Sequence, residues 1–348
     1  MFLLLLLFLV PNQIHGFDEK SIDINKLWSF YKNEFQKSYS SDREDKYRLN
    51  IFAQNLGTIN SHNDRAAKGL ESFTMGINKF SDLTFNEFSS KYLGGRFRTK
   101  WLLDAPIQHV ADPNESLPDL LDWRSIGIVG SIKDQGACGS CWSFSTVSSI
   151  ESAYAQGTGI NKTFSEQNLM DCSWLEGNLG CNGGWMPDAY RTITRMGGIM
   201  TSSDYPYVGR DSIICKYSQS KAVTTVTNYA SVSGVSNMKS AVAKNNVAVA
   251  MEVDNKFQHY KSGVFASNGC RNSSQALNHA VNLVGYGKAT IPVTPSNTTR
   301  DGETTEVDYW ILRNSWSTNW GDNGYAKIQT GQCGIEMAGY YPIVKLHW

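Results

Sequence analysis

The sequence has no excess of either charge, because 32 lysine and arginine residues balance 32 aspartate and glutamate residues over 348 positions. Nucleic acids and anionic membrane surfaces attract proteins that carry a basic excess, so the balance argues against a nucleic-acid partner. Internal repeats and low-complexity tracts are also missing. The length suits two compact units, and a hydrophobic content of 41% is enough for sizeable cores.

The sequence lacks an apolar run long enough to cross a bilayer. Its longest run, residues 1–10, has about half of the roughly 20 residues that a spanning helix needs. The polar residues that follow favour a secretory signal peptide over 1–16, although no Lys or Arg precedes the apolar block. A buried N-terminal strand or helix is the alternative. We expect a chain of the secretory pathway, in a lysosome-like vacuole or outside the cell, with no membrane span.

Cysteines are few and their number, seven, is odd. In an oxidising compartment thiols pair unless chemistry keeps one of them free, so one cysteine is left over. Sequons for N-glycosylation fit the same compartment. They stand at Asn114, Asn161, Asn272 and Asn297.

The N-terminal third is predicted to be helical over 25–66. Its second part carries a stripe of six positions at steps of three or four, which is the spacing of one helix face. Four of the six are polar, so a charge-laced surface helix is the alternative to a core-facing one. The stripe consists of Glu44, Arg48, Phe52, Asn55, Ile59 and Asn63.

The next segments alternate between extended and helical patterns. Residues 76–82 are predicted to be extended, and Thr84 with Glu87 forms a capping box that starts a short helix. Residues 94–118 lose periodicity and indicate a linker. A further helix is predicted to begin near Cys141 and to stop at Gly157.

From residue 223 onward the texture is that of short strands rich in β-branched and aromatic residues. The polar stretch 288–305 is predicted to be a solvated loop. A helix-rich part followed by a strand-rich part implies two subdomains side by side, and ligands tend to bind in the cleft between such units.

Two residues separate Cys138 from Cys141, a spacing with three chemical interpretations. A zinc site needs two further ligands, but the other cysteines are scattered singly. A thioredoxin-like redox pair would join the two cysteines, but the surroundings show no βαβ pattern. The third interpretation is one structural cysteine beside one nucleophile. Cys141 opens a predicted helix, where the dipole and unpaired N–H groups favour a thiolate.

A cysteine nucleophile needs a base, and only three histidines follow position 115. His279 is the best candidate because it enters an apolar strand that fixes the ring. His259 suits a packing role, and His347 is penultimate.

Two amide side chains complete the candidate site. Asn314 can orient the imidazole of His279 without adding a charge. Gln135 lies six residues before Cys141. Its amide can join the Cys141 backbone N–H in an oxyanion hole.

Together these motifs resemble the papain family of cysteine peptidases, in its cathepsin L-like branch, over essentially the whole chain. The run C-G-S-C-W at 138–142 is the signature of that family. The six-position stripe matches the ERFNIN pattern of its propeptides. A second propeptide pattern, GxNxFxD, is matched at Gly76, Asn78, Phe80 and Asp82.

The resemblance implies an α+β, papain-like fold with a helical left subdomain, a β-barrel-like right subdomain and a cleft between them. A small helical propeptide domain precedes it. The implied boundaries are a signal peptide at 1–16, an inhibitory propeptide at 17–114 and a mature peptidase at 115–348, with processing inside 112–117. The family pairing leaves Cys141 free and joins Cys138 to Cys181, Cys172 to Cys215 and Cys270 to Cys333.

The implied activity is that of a cysteine endopeptidase, made as a zymogen, that cleaves proteins and peptides through a thiolate. No His-bearing occluding loop is evident, which favours an endopeptidase over an exopeptidase. Ala338 stands where other members carry an acidic residue that accepts Arg, so we expect Leu, Val or Phe at the P2 position. The substrate-binding residues implied are Gly183, Gly184, Trp185, Met186, Ala250, Leu277, Asn278, Ala280, Trp316 and Ala338.

The chain departs from the family pattern at Ser317, which replaces a Gly, and at Asn278, which replaces a frequent acidic residue. The resemblance further implies a monomer, no cofactor or metal, the propeptide as an intramolecular inhibitor, and cystatin-type inhibitors as partners. Acid triggering is a hypothesis that rests on Asp82 and Glu44.

Two alternatives from other functional classes remain. A catalytically silent binding or inhibitor protein should have lost one of the four catalytic-site residues, and a thiol oxidoreductase should oxidise Cys138 with Cys141.

Overall fold

The computed structural model describes residues 23–94, 105–292 and 303–346. The predicted signal peptide, the sequon at Asn297 and His347 lie outside the described residues.

Eight α-helices occur in the described residues. They are α1 Ile24–Glu34, α2 Asp42–Ala67, α3 Phe85–Tyr92, α4 Cys141–Thr158, α5 Glu166–Cys172, α6 Met186–Met196, α7 Val235–Val242 and α8 Asn255–Gln258. Short 3-10 helices cover Trp123–Ile126, Trp174–Glu176, Gly180–Asn182 and Gln219–Lys221.

Twelve strands accompany them in the same part of the chain. They are β1 Phe73–Met75, β2 Ile107–Gln108, β3 Leu121–Asp122, β4 Ile199–Met200, β5 Ala222–Thr224, β6 Val226–Val232, β7 Val247–Met251, β8 Tyr260–Phe265, β9 His279–Pro292, β10 Thr304–Arg313, β11 Tyr325–Gln329 and β12 Gly339–Val344.

The polar stripe on α2 faces β1 and the segment that follows it. The prediction of an extended segment over 76–82 is corrected, because residues 79–82 form turns closed by hydrogen bonds from Ser81 N to Asn78 O and from Leu83 N to Phe80 O. The Asn55 amide donates to the carbonyl oxygens of Ser81 and Leu83 at 2.9 and 3.0 Å. Asn63 exchanges two hydrogen bonds with the backbone of Met75. Buried backbone groups must be paired, and here the amides of the helix pair them. The interpretation of the stripe as a solvated face is therefore wrong.

The two charged members of the stripe act differently. Arg48 donates to Glu87 of α3 at 2.9 Å and ties the two helices together. Glu44 instead accepts hydrogen bonds from the Ser40 backbone and hydroxyl at the start of α2, so it serves as a local cap. The capping box of Thr84 with Glu87 is confirmed.

Asp82 is the buried acceptor at the centre of the propeptide domain. Its side chain accepts from the Tyr31 and Tyr39 hydroxyls at 2.7 and 2.8 Å and from the Lys37 ammonium at 2.8 Å. Burial is the main cause that raises the pKa of both tyrosines, followed by the charge of Asp82. They therefore remain hydroxyl donors to it at any ordinary pH.

The main sheet has ten strands in the described residues, in the order β1-β8-β11-β10-β9-β7-β12-β6-β2, with β3 paired to β9. Its two edges, β1 and β2, come from segments ahead of position 115. The prediction of a barrel-like subdomain is corrected to an open sheet. A barrel would need its two outer strands to pair with each other, but β1 and β2 lie at opposite edges. A separate pair, β4-β5, lies outside it.

The apolar core has two main groups of buried side chains, and α4 packs against β9. One gathers apolar side chains from α4, α5 and α6, and the other gathers those of the sheet with β1 and α3. Helix α4 ends at Thr158, one residue past the predicted stop, because Gly159 provides the left-handed cap at φ 71°. Cys141, the first residue of α4, belongs to the core group of the helical side.

Two stretches predicted to be irregular contain strands. Residues 288–292 and 304–305 extend the β9-β10 hairpin, where Thr304 pairs with Pro292. The cross-strand ion pair of Lys288 with Glu306, at 3.4 Å, lies on the same extension. In the linker 94–118, residues 107–108 form β2.

Replacing Asp82 with Asn is expected to destabilise the propeptide domain by about 3 kcal/mol, because it leaves the mostly buried Lys37 ammonium without its counter-ion. Asp45→Asn is the matched control. Its Lys32 partner and its own side chain are 31% and 32% exposed, so a loss below about 1 kcal/mol is expected. Hydrogen exchange of the α1 amides measures both. Equal losses would contradict the central role of Asp82.

Candidate active site

Cys141 is the first residue of α4 and is fully buried. Backbone N–H groups of Ala280, Gly94, Trp142 and Cys141 itself surround its sulfur. Cys141 is the free cysteine, since the three disulfides join the pairs that the resemblance implies. Cys138 is bonded to Cys181, so the redox pair of Cys138 with Cys141 is not formed.

His279 begins β9 and is held on two sides. Its Nε2 lies 2.9 Å from Asn314 Oδ1, and its ring stacks on Trp316 with centroids 4.5 Å apart. An amide oxygen can only accept, so Nε2 carries the proton. Nδ1 has no polar partner and is the nitrogen left to exchange a proton with the thiol.

Gln135 is completely buried, and its side chain is fixed at both ends. Its Oε1 accepts from the Ser315 hydroxyl at 2.6 Å, while its Nε2 donates to Cys138 O at 2.8 Å and to Tyr92 O at 2.9 Å. Ser315 follows Asn314 directly, so one loop positions both amides of the site. The Tyr92 carbonyl belongs to the propeptide.

Burial sets the protonation of the two reacting groups. It raises the pKa of the Cys141 thiol, and the surrounding N–H groups lower that pKa by less. It lowers the pKa of His279 to about 4, against the effect of the Asn314 hydrogen bond. Both groups are neutral near pH 7 in the covered cleft. The expected thiolate is therefore disfavoured in the precursor, because desolvation outweighs the helix start.

The propeptide fills the cleft with backbone. Gly94 O accepts from Gly184 N at 3.1 Å. A Cβ on Gly94 would lie 1.6 Å from Gly139 O, so only glycine permits this approach. Gly184 is equally constrained, since its Cβ would meet the Trp142 ring at 2.6 Å. Sequence analysis assigned Gly94 to a linker and missed both it and Tyr92, because a glycine needed for close approach looks like a turn glycine.

Aromatic rings of the propeptide close the other side of the cleft. Phe80 and Phe88 meet Trp316 edge-on at centroid distances of 5.4 and 5.2 Å, and Tyr92 stacks on Phe88. All three contacts keep water from the His279–Trp316 stack.

Six residues predicted to line the pocket for the P2 side chain share the core group of the helical side with Cys141. Ala250 pairs with Ala280 across β7-β9 and donates to Ala338 O at 3.0 Å. Trp185 meets Tyr340 edge-on at 5.2 Å. All six residues are apolar and none is acidic. They are Trp185, Met186, Ala250, Leu277, Ala280 and Ala338.

Asn278 and Ser317, the departures from the family pattern, have structural roles. The Asn278 side chain accepts from Val253 N at 2.8 Å and donates to Val253 O at 3.1 Å. These two bonds hold Asn278 next to His279, and they leave its amide unavailable to substrate. Ser317 adopts a left-handed φ of 66°, which a glycine would take without strain. Its N–H bonds Lys133 O.

Other candidates from the sequence lie away from the site. His259 is buried, and burial lowers its pKa to about 4, in keeping with a packing histidine. Of the sequons, Asn114 and Asn161 are exposed. Asn272 is also exposed, but its amide bonds Gly331 O and Gly334 N, so a glycan there would break these contacts.

In the described part of the chain no group of His, Cys, Asp and Glu side chains is arranged to hold a metal ion. Nor is any described helix both long and apolar enough to reach across a bilayer.

Comparison with known proteins decides the family. Residues 117–343 match the model of the papain family cysteine protease. The chain belongs to the papain family of cysteine proteases. Residues 28–88 of this papain-family chain match the cathepsin propeptide inhibitor domain, I29.

Individual relatives agree over nearly the full length. The chain is 39% identical to a cathepsin L-like proteinase of Fasciola hepatica, over 91% of this chain and 93% of the other. It is 36% identical to cathepsin L of Sarcophaga peregrina, over 92% and 93%. The solved structure of digestive procathepsin L 3 from Tenebrio molitor larval midgut superposes with a TM-score of 0.80 at 36% identity, over 93% and 99%. This chain is thus a cathepsin L-like cysteine protease zymogen with its inhibitory propeptide in place.

Gly94→Ala is expected to force the propeptide off Gly139 and to speed alkylation of Cys141 in the precursor at neutral pH at least tenfold, which is the effect of about 1.4 kcal/mol of lost docking. Gly57→Ala is the matched control. Gly57 lies on α2 with open space around its Cβ position, so alanine should stabilise the helix and leave the alkylation rate unchanged. Unchanged alkylation of the Gly94 variant would contradict the contact.

Uncovering the cleft is expected to move the pH profile of Cys141 alkylation to lower pH, since it removes the burial that raises the thiol pKa. Alkylation rates from pH 4 to 10, before and after processing, measure the shift. A profile that stays in place would show that the propeptide blocks access without changing ionisation.

Proposed function

We propose that the zymogen yields an endopeptidase in which Cys141 attacks the peptide carbonyl, His279 exchanges the proton and Asn314 orients the imidazole. The observation that carries the proposal is the hydrogen bond from Gln135 Nε2 to the Tyr92 carbonyl oxygen, 2.9 Å long. The Tyr92 carbonyl oxygen therefore already accepts from the amide group that a substrate carbonyl oxygen would need as its donor.

The chemical steps follow from these positions. Once the cleft is open to solvent, the Cys141 proton passes to His279 Nδ1 and the thiolate attacks the carbonyl carbon. Gln135 Nε2 and the Cys141 N–H stabilise the oxyanion, and protonated His279 gives its proton to the leaving amine. Water then hydrolyses the thioester with His279 as the base.

The pocket for the P2 side chain supports a preference for Leu, Val or Phe. Its lining is apolar and buried, and Ala338 offers no carboxylate to an arginine. A guanidinium placed there would lose water without gaining a partner.

Processing is proposed within 112–117, with the mature chain starting near Glu115. The proposed units are a signal peptide over 1–16, a propeptide over 17–114 and a peptidase over 115–348. Asp112, Pro113 and Asn114 are exposed, which suits cleavage there. We further propose a monomer of the secretory pathway, in a lysosome-like vacuole or outside the cell, that cystatin-type inhibitors recognise.

Gln135→Ala is expected to lower kcat of the processed enzyme by 10²–10³, about 2.7–4 kcal/mol, because it removes one oxyanion donor. Ser315→Ala, which frees Gln135 Oε1, should give a smaller loss. The control Gln156→Ala changes an exposed glutamine on α4 and should leave kcat unaltered. Hydrolysis of a fluorogenic peptide measures all three. No turnover by the unsubstituted enzyme would favour a silent binding protein.

Ala338→Glu is expected to improve kcat/KM for Arg at P2 by at least tenfold relative to Leu, because the new carboxylate pairs the guanidinium in the pocket. Paired peptide substrates that differ only at P2 test this. Equal rates for Arg and Leu with the unsubstituted enzyme would refute the pocket assignment.

A further inference from the structure

A second contact between propeptide and enzyme lies outside the cleft and beyond the matched inhibitor domain, which ends at residue 88. Residues 105–114, here called the strap, run along the edge of the sheet opposite to β1. Strand β2 pairs in parallel with β6, with Ile107 opposite Ala230. The His109 N–H then donates to Ser231 O at 2.8 Å. This is strand addition to a free edge.

His109 of the strap and Glu115, the proposed first residue of the peptidase, complete the contact on α7 and β12. The His109 ring bridges two hydroxyls, with Nδ1 at 2.9 Å from Tyr341 and Nε2 at 3.1 Å from Ser240. Glu115 accepts from the same Ser240 hydroxyl at 2.5 Å and pairs with the Lys244 ammonium at 2.7 Å.

In neutral His109 these bonds determine which ring nitrogen carries the proton. A carboxylate only accepts, so Ser240 gives its proton to Glu115 and must accept from the ring at Nε2. Nδ1 is then the acceptor for the Tyr341 hydroxyl. A second ring proton, on Nδ1, would require the Tyr341 hydroxyl to turn and accept instead of donating.

The charges around the ring also oppose a second proton. Burial lowers the pKa of His109, and Lys244 lowers it further, while Glu115 acts in the opposite direction. Tyr341 is uncharged, because burial raises its pKa. A histidine whose pKa is depressed when docked binds its proton better when released. Docking is therefore strongest above the free pKa of about 6.5 and weakens as the pH falls below it.

We propose that the strap is a second docking element of the propeptide, released by protonation of His109, and that its release frees the exposed segment 112–117 from the sheet edge so that it can enter a protease cleft. The gating of cleavage rests on the proposed processing segment, whereas docking and acid release do not. Glu115 adds a later step, since hydrogen bonds to Lys244 and Ser240 lower its pKa and that contribution is lost at more acidic pH.

Hydrogen exchange on the full-length Cys141→Ser chain tests docking and release without catalysis. After correction for intrinsic rates, protection of the His109 amide is expected to fall between pH 7 and pH 5, by up to tenfold for each unit by which docking depresses the pKa. His109→Gln keeps a neutral polar side chain and should keep most protection at pH 5. Gln108→Ala, an exposed neighbour on β2, should retain the pH dependence of the parent. Equal protection at both pH values, or a pH dependence that survives in His109→Gln, would overturn acid release.

Gating is tested by adding a trace of processed active enzyme to the same Cys141→Ser chains and following intact mass. His109→Gln should slow cleavage in 112–117 at pH 5 several-fold while cleavage at pH 7 stays the same. Equal rates at pH 5 would overturn gating. Failure of the added enzyme to cleave a peptide substrate would instead count against the proposed function.

Discussion

Extended backbone buried against folded protein needs a hydrogen-bond partner for each of its polar groups, and side-chain amides meet that need throughout this zymogen. Asn55 and Asn63 pair the backbone around β1 from the propeptide side. Asn78 reaches Gln258 O in the enzyme, and Gln258 reaches Phe80 O in return. At the cleft Gln135 takes the Tyr92 carbonyl. An amide donates and accepts without a charge to desolvate, so these contacts do not depend on pH, unlike those of His109 and Glu115.

The inhibitory contact also changes the chemistry that it covers. Gly94 and the rings on Trp316 remove water from Cys141 and His279, and desolvation favours the neutral form of each. The geometry of the His279–Asn314 pair is already complete in the precursor. Activation therefore needs no rearrangement of that pair. It needs only the departure of Tyr92 and Gly94, which lets solvent and substrate enter the cleft.

Much of this arrangement was predictable from the sequence, because the patterns involved are local or belong to a strong family resemblance. The helices over 25–66, the capping box at Thr84 and the strands from β6 to β11 that were predicted as short runs follow from periodicity and turn residues. The open sheet did not follow, since two edge strands of two and three residues carry no periodic signal and form only by pairing with distant partners. The effect of the propeptide on the thiol pKa of Cys141 did not follow either, because burial by a segment 47 residues away cannot be read from the helix start.

Both edges of the main sheet are strands that the proposed processing would remove. Without β1 and β2, the outer strands would be β8 and β6, each with a row of unpaired N–H and C=O groups. Such edges are templates on which other chains add and aggregate. In the precursor the segments ahead of position 115 therefore protect both edges of the sheet from such addition.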